Sequence, residues 1–201
     1  MMQAAAPPLI LASQSTARAA LLTAAGLRFD TMPARIDESA VKDAARAEGA
    51  SADDTALLLS VMKARRIRSP GALVIGADQL LVAGDAWFDK PADRPGAAAH
   101  LRALRGREHI LVTAVVCLRD GQEVWRHVAR PRLRMRTFGD AWLEAYLDRE
   151  GDAILASVGA YRLEGAGIHL FDEIEGEHAA ILGLPLLPLL GFLRQHGVLA
   201  A

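Results

Sequence analysis

The chain has little of several residue types, and each shortage excludes a class of protein. One cysteine among 201 residues cannot form an intramolecular disulfide, so we predict a protein of a reducing compartment, the cytoplasm. The formal net charge of -1 gives no basic excess, so no nucleic-acid polymer is expected as a partner. The longest apolar run, 181–193, is interrupted by Pro185 and Pro188. It is too short to span a bilayer, and no membrane partner is predicted.

The motifs of several common enzyme sites are also absent. The chain has no GxxxxGK[ST], GxGxxG, HExxH or GxSxG sequence, and its six histidines lack the spacing of metal ligands. P-loop NTPases, Rossmann oxidoreductases and zinc hydrolases are therefore disfavoured. Acids, lysines and a candidate anion site lie instead on separate predicted elements. Metal-assisted hydrolysis of a phosphoanhydride is the simplest chemistry for such a set.

Lysine is scarce even among the basic residues. Only Lys42, Lys63 and Lys90 are lysines among 23 basic residues, so the chain strongly prefers arginine. A lysine that persists in such a chain indicates a position where a compact point charge is favoured over a planar guanidinium group.

The stretch from Leu73 to Pro91 carries an acid and a lysine on a short apolar framework. Residues 72–75 are apolar and rich in β-branched side chains, and Gly76 follows, which predicts a buried strand with Asp78 at its exit. Lys90 precedes Pro91, and this order favours extended backbone at the lysine. The two charges are expected to face one phosphate-handling pocket. The alternative is a solvated acid at a strand end and a surface lysine.

The N-terminal region predicts a strand followed by a helix with an anion-binding start. Residues 9–12 are apolar, and the N-cap residues Ser13 to Thr16 precede a helical segment that ends at Gly26. Free backbone N–H groups there, with the hydroxyls of Ser13 and Ser15 and the guanidinium of Arg18, would form the anion site. Every α/β protein has such turns, so simple capping remains the alternative.

The rest of the chain alternates strand and helix patterns without an internal repeat. The arm 122–136 ends in four alternating arginines at positions 130, 132, 134 and 136, and Pro131 within it predicts an edge strand. Adjacent Asp37 and Glu38 suit the start of a helix. The remaining predicted strands are 29–33, 110–118 and 168–174, and the remaining predicted helices are 37–49, 51–68, 95–104, 140–149 and 185–197.

Five segments in order resemble the Maf family of nucleoside triphosphate pyrophosphatases. They are LILASQSTARAALLTAAGLRFD, ARIDES, VMKARR, VIGADQLLV with FDKP, and AYRLEGAGIHLF with ILGLPLLPLL. The resemblance extends from about Leu9 to Gly197. It implies one domain, residues 1–201, with an α/β fold similar to that of inosine triphosphate pyrophosphatases. In such a fold an elongated mixed central sheet is flanked by helices, two lobes share the sheet around a cleft, and homodimers are frequent.

The resemblance also implies a reaction and roles for individual residues. A nucleoside triphosphate would be hydrolysed to the monophosphate and pyrophosphate with a divalent cation, Mg²⁺ or Mn²⁺. Asp78 would be the catalytic proton acceptor or a metal-linked carboxylate, and Glu38 would help to hold the metal. The residues expected to contact the substrate are Ser13, Ser15, Arg18, Lys63, Gln79, Lys90 and Glu164.

Two departures from the family pattern bear on specificity and activity. The family usually has Ser-Pro-Arg-Arg where this chain has Ser15-Thr16-Ala17-Arg18, so one phosphate-binding arginine is missing. Gln79 and Glu164 resemble the branch that takes 7-methyl-GTP, in a housecleaning role, because a carboxylate can accept hydrogen bonds from a guanine edge. The alternatives are a dTTP/UTP pyrophosphatase and a catalytically weak nucleotide-binding regulator of cell division.

Overall fold

The computed structural model describes residues 3–200, which form a mixed α/β fold. The strands are β1 (Leu9–Leu11), β2 (Asp30–Thr31), β3 (Leu73–Ala83), β4 (Ala86–Phe88), β5 (Glu108–Arg119), β6 (Gln122–Ala129), β7 (Arg132–Met135) and β8 (Phe171–Glu175). The helices are α1 (Thr16–Ala24), α2 (Glu38–Ala47), α3 (Ala52–Arg65), α4 (Arg94–Leu104), α5 (Asp140–Glu150), α6 (His178–Ile181) and α7 (Leu186–Gln195). Short 3₁₀ helices occupy Gly151–Ala156, Val158–Ala160 and Ala166–Leu170.

The eight strands belong to one open mixed sheet, which confirms the predicted fold class. Six strands follow the order β2-β1-β3-β5-β7-β8, while β4 pairs with β3 and β6 pairs with β5. Strand β1 is parallel to both β2 and β3, and β4, β6, β7 and β8 pair in antiparallel fashion. Within residues 3–200, no helix has the length and apolar character needed to cross a membrane.

The chain divides into two compact units. The first contains the residues up to Asp78, Thr113–Ala129 and the residues from Glu177 onward. The second contains Gln79–Val112 and Arg130–Gly176. Organisation as one domain with two lobes around a cleft stays a prediction.

In the first unit, apolar side chains on both faces of β1 and β3 explain why helices cover both sides of the sheet. Leu9 and Leu11 pack in one core with Leu22 of α1 and Phe192 of α7. Ile10 belongs to a second core, which also contains Val74 of β3 and Ala64 of α3. Because successive strand residues point to opposite faces, a continuous apolar run supplies both cores.

The predicted helix starts in this unit are confirmed by their caps. The side chains of Ser15, Asp37 and Ser51 accept hydrogen bonds from the backbone N–H groups of Arg18, Ala40 and Asp54. Each of these caps satisfies a backbone donor that the first turn of a helix leaves unpaired. Asp37 therefore serves α2 as its cap, while Glu38 is the first residue of the helix.

The predicted end of a strand at Gly76 is wrong. Strand β3 continues past Gly76 and contains 11 residues in all. Asp78 lies in its middle rather than at its exit. A Cβ atom at position 76 would overlap the Ser60 carbonyl oxygen and the Ala64 side chain of α3. The glycine thus permits close packing of a helix against the strand, a role that glycine also has within sheets.

The predicted edge strand at 122–136 is wrong in its second half, which lies inside the sheet, although the arginine alternation there is correct. The arm is divided at Arg130 and Pro131 into β6 and β7, and β7 lies between β5 and β8. Leu133 and Met135 of β7 are buried. Its arginines form ion pairs instead, Arg132 with Glu108 and Arg134 with Glu173. Carboxylates on neighbouring strands therefore balance the charges within the sheet.

Two other predicted strands are shorter than expected. Only residues 30–31 of the predicted strand 29–33 pair in the sheet, and the strand predicted at 168–174 begins only at Phe171. Residues 166–170 form a 3₁₀ helix instead. Cys117 is buried, and burial raises the pKa of its thiol, so the thiolate form is disfavoured.

Candidate active site

A buried ion-pair cluster lies in the first unit where α2, α3 and β3 contribute one charged side chain each. Lys63 Nζ lies 2.5 Å from Asp78 Oδ1 and 2.9 Å from Glu38 Oε1. Asp78 is 2% exposed and Lys63 is 6% exposed, whereas the side chain of Glu38 is 41% exposed. One ammonium group thus holds two carboxylates that lie 40 residues apart in the chain.

Strand alternation and the packing of α3 explain why Asp78 meets Lys63. Leu73, Ile75 and Ala77 of β3 point into the core that contains α1 and α7. The alternate residues, including Gly76 and Asp78, therefore point to the opposite face, which α3 covers. Close approach of α3 at Gly76 brings its last turn next to the following residue on that face, Asp78. Lys63 at the end of α3 is therefore buried rather than solvated.

Arg18 is anchored in the same unit by contacts with the start of α1 and with a distant glycine. Its Nη1 donates a hydrogen bond to Ser13 Oγ at 3.3 Å, and its Nε donates to the Gly183 carbonyl oxygen at 2.7 Å. Gly183 has φ +103°, and a Cβ atom there would lie 3.2 Å from Arg18 Nε. The Ser15 N–H also donates to Ser13 Oγ at 3.1 Å. Ser13, Ser15 and Arg18 thus form one connected group.

The electrostatic surroundings of Arg18 connect this group to the carboxylates. Burial lowers the pKa of the Arg18 guanidinium, while the charges of Asp78 and Glu38 act to raise it. The ordinary pKa of arginine is far above neutral pH, so the group stays protonated. Two cations, Arg18 and Lys63, therefore interact with two anions, Glu38 and Asp78.

The two carboxylates are chemically suited to a divalent cation. Asp78 Oδ2 is buried and has no hydrogen-bond partner among residues 3–200, and such an atom is costly to leave without a ligand. Within the same residues, no group of three or more His, Cys, Asp and Glu side chains could hold a metal ion by itself. Mg²⁺ is commonly held by one or two carboxylates together with substrate phosphates and water. Glu38 and Asp78 fit that kind of site.

The other three predicted site residues lie in the second unit. Gln79 follows Asp78 in β3 and is half-buried, while Lys90 and Glu164 are exposed. Glu164 accepts a hydrogen bond from Arg162 Nε at 3.3 Å. Their contacts with a ligand stay predictions.

The backbone around Glu164 is held by buried contacts within the second unit. Tyr161 is 5% exposed, and its hydroxyl lies 2.8 Å from His109 Nε2. Burial lowers the pKa of His109 to about 4, so this imidazole is neutral at pH 7. Glu150 accepts a hydrogen bond from the Ala166 N–H at 2.9 Å. Glu164 therefore lies on a segment with fixed points on both sides.

Two supporting glycines were missed as parts of the site. The sequence pattern gives Gly183 no role, and it predicts only the end of a strand at Gly76. Gly76 is required by the close approach of α3, and Gly183 is favoured by its φ of +103° beside the Arg18 side chain. The chain offers no local signal for either contact, because the partners are distant in sequence.

Comparison with known proteins identifies the family of the chain. A family model described as "Maf-like protein" matches residues 8–196. The chain belongs to the Maf family. This Maf protein is 56% identical over 193 residues to a protein of Granulibacter bethesdensis, with 95% of this chain and 98% of the relative covered. It is 54% identical over 200 residues to a protein of Rhodospirillum rubrum, with 98% of this chain and 99% of the relative covered.

Both relatives of this Maf protein carry the name nucleoside triphosphate pyrophosphatase. That name agrees with the predicted enzyme class, a hydrolase acting on phosphoric anhydrides. The names specify no nucleobase, so membership of the 7-methyl-GTP branch stays a prediction.

Proposed function

We propose that this Maf protein is a pyrophosphatase that hydrolyses a nucleoside triphosphate to the monophosphate and pyrophosphate. The observation that carries the proposal is the buried contact of Lys63 with Asp78 and Glu38, beside an anchored Arg18. Buried charged groups are uncommon and cluster at functional sites. The names of the relatives support the same reaction.

The proposed reaction is attack of water on the α-phosphorus. A new P–O bond forms while the bond to the bridging oxygen breaks, and pyrophosphate leaves. Asp78 accepts the proton of the attacking water through Oδ2, the carboxylate oxygen without a protein partner among residues 3–200. Lys63 and Arg18 stabilise negative charge on the phosphate oxygens, which is the main task of a phosphoryl-transfer site. Ser13 and Ser15 contribute hydroxyl groups beside Arg18.

Glu38 and Asp78 are the residues that would hold Mg²⁺ or Mn²⁺, which supplies Lewis-acid polarisation of a phosphoryl oxygen when bound. Their oxygen ligands suit a hard cation. Lys90 is proposed to add a second ammonium charge for the phosphates. This Lys90 role rests on the resemblance to the family.

For the nucleobase, we propose N7-methylated guanine as the preferred group. Glu164 presents an exposed carboxylate that can accept hydrogen bonds from guanine N1–H and the amino group. Gln79 is proposed to contribute an amide to the same recognition. This is the finer part of the proposal, and it can fail while the reaction stands.

A pyrophosphate-release assay over several substrates tests the function. Purified protein with Mg²⁺ or Mn²⁺ is given ATP, GTP, CTP, UTP, dTTP and 7-methyl-GTP in turn. We expect release of one pyrophosphate per monophosphate, with kcat/KM for 7-methyl-GTP about tenfold or more above that for GTP, because N7-methylation gives the purine ring a positive charge that the Glu164 carboxylate attracts.

Each other outcome identifies a different function. A preference for dTTP and UTP would support the pyrimidine enzyme and contradict the proposed base. Tight binding of triphosphates without pyrophosphate release would indicate the regulatory alternative, for which the missing arginine at Ala17 is the supporting observation.

A further inference from the structure

Thr113 is a buried polar residue that the proposed reaction does not use. It is 0% exposed and lies in β5 within the run 111–118, which is otherwise apolar. Burying a hydroxyl costs free energy unless the group is hydrogen-bonded. The Thr113 hydroxyl donates a hydrogen bond to the carbonyl oxygen of Ala180 in α6 at 3.0 Å, and the two residues are 67 positions apart in the chain. The contact therefore ties a distant segment to the sheet.

The Ala180 carbonyl leads directly to Arg18 of the candidate site. The same oxygen accepts a hydrogen bond from the Gly183 N–H at 3.0 Å, as a carbonyl with two lone pairs can. The Gly183 carbonyl oxygen in turn accepts a hydrogen bond from Arg18 Nε at 2.7 Å. Three hydrogen bonds therefore connect Thr113 to the Arg18 guanidinium, and all four residues belong to the first unit.

The segment that carries Gly183 has a second attachment. Glu177 Oε1 accepts a hydrogen bond at 2.8 Å from the N–H of Leu187, in the first turn of α7. A donor in the first turn has no partner within its own helix, so the Glu177 side chain supplies one and joins the starts of α6 and α7. Gly183 lies between these two ends. Contacts on both sides of it therefore hold the direction of its carbonyl group.

The direction of the Gly183 carbonyl determines where Arg18 can place its charge. A guanidinium group is a planar fork whose N–H donors keep fixed angles to one another. Two contacts, Nε to the Gly183 carbonyl and Nη1 to Ser13 Oγ, define the plane of this fork. A side chain already held in its binding orientation loses less entropy when a ligand arrives. The hydrogen bonds that begin at Thr113 thus prepare Arg18 for an anionic ligand.

We propose that Thr113 is a positioning residue for triphosphate binding. It orients Arg18 through the backbone of Ala180 and Gly183 and does not contact the substrate itself. This inference rests on the proposed function, which assigns Arg18 to the phosphates.

The test removes the Thr113 hydroxyl with little change in side-chain volume. Thr113→Val replaces the hydroxyl with a methyl group, Thr113→Ala is a second variant without the hydroxyl in case valine impairs folding, and Thr113→Ser keeps the hydroxyl. The Ala180 carbonyl still accepts from the Gly183 N–H, so no unpaired carbonyl is left behind. Thermal unfolding identifies the folded variants.

Thr55→Val is the matched control for Thr113→Val. Thr55 is also buried in the first unit, and its hydroxyl also donates to a backbone carbonyl, that of Ser51 at 2.8 Å. The control therefore loses the same kind of hydrogen bond without touching the segment that holds Arg18.

Two readouts are measured for each folded variant. The first is the Kd for a methylene-bridged inorganic triphosphate with Mg²⁺, measured by calorimetry, because this probe is not hydrolysed and has no nucleobase for Glu164 to bind. The second is KM for pyrophosphate release from the nucleoside triphosphate that the wild type hydrolyses fastest. For Thr113→Val we expect both to rise about fivefold, because part of the charge-assisted contact between Arg18 and the phosphates is lost. Thr113→Ser should restore most of the loss, and Thr55→Val should match the wild type.

A double variant tests whether Thr113 acts through Arg18. Arg18→Met alone should raise the Kd about tenfold or more, because a hydrogen-bonded charge is removed. In that background Thr113→Val should raise the Kd clearly less than it does in the wild type, since interacting residues are not additive.

The outcomes separate this inference from the proposed function. Wild-type Kd and KM in both variants without the hydroxyl, or an undiminished effect of Thr113→Val in the Arg18→Met background, would overturn the inference alone. Absence of wild-type turnover on every nucleoside triphosphate would instead contradict the proposed function.

Discussion

Asp78 is a buried carboxylate whose charge is balanced inside the protein by Lys63. The two side chains are 3% and 8% exposed, so water contributes little to the solvation of either charge. Bringing two charges out of water is costly, and their attraction is needed to offset that cost. The pair is therefore expected to matter for stability as well as for catalysis.

Lys63→Met should lower the free energy of unfolding by about 3 kcal/mol, because it leaves the Asp78 carboxylate buried without its ammonium partner. Urea unfolding followed by circular dichroism measures the change. The double variant Lys63→Met, Asp78→Asn should recover part of the loss, since the unbalanced charge is then gone.

Arg65→Met is the matched control for that substitution, because Arg65 lies two residues further along α3 and is exposed. Its effect should stay within about 0.5 kcal/mol. Equal effects of the Lys63 and Arg65 substitutions would show that the buried pair contributes nothing specific to stability.

At the scale of elements, the packing of α3 on β3 determines whether the charged pair forms at all. The approach is close at Gly76, where the Ser60 carbonyl and the Ala64 side chain fill the position of a Cβ atom. Ser60 itself is buried, and its hydroxyl donates to the carbonyl oxygen of Ala114 in β5 at 3.3 Å. This part of α3 therefore has little freedom to move away.

Gly76→Ala should destabilise the protein by about 2 kcal/mol, as overpacking in a well-packed core commonly does. It should also lower pyrophosphate release, because a displaced α3 moves Lys63 from Asp78. Gly191→Ala in α7 is the control, since a Cβ atom there meets nothing within 4 Å. The control should be neutral or slightly stabilising, because alanine favours a helix. Thermal unfolding that is equally unaffected in both variants would contradict the role given to Gly76.

At the scale of the whole molecule, local signals in the sequence predicted much of the fold and non-local contacts explain the errors. The caps Ser15, Asp37 and Ser51 act on backbone groups three residues away, so their helices were predicted correctly. Glycine after an apolar run is typical of a strand end, but Gly76 instead packs against α3, and no local pattern reveals that contact. The edge prediction failed at β7 for a similar reason, because β7 pairs with β8 far along the chain.

The same contrast between local signals and non-local contacts applies to the candidate site. Hydroxyls and Arg18 at the start of α1 were predicted to lie together because they share one turn. The contact of Arg18 with Gly183 spans 165 residues, and the sequence carried no signal for it. Glu38, Lys63 and Asp78 were grouped by resemblance to the family, since local patterns suited a helix start for Glu38 and a solvated strand end for Asp78.

The central claim is that hydrolysis depends on the Asp78 carboxylate, and pyrophosphate release by Asp78→Asn tests it most directly. The variant keeps the shape of the side chain, and Asp85→Asn is the control because Asp85 is an exposed acid in the turn after β3. We predict that Asp78→Asn folds but releases pyrophosphate about a hundredfold or more slowly than the wild type, as expected for loss of a general base, whereas Asp85→Asn keeps the wild-type rate. A folded Asp78→Asn variant with the wild-type rate would contradict the account.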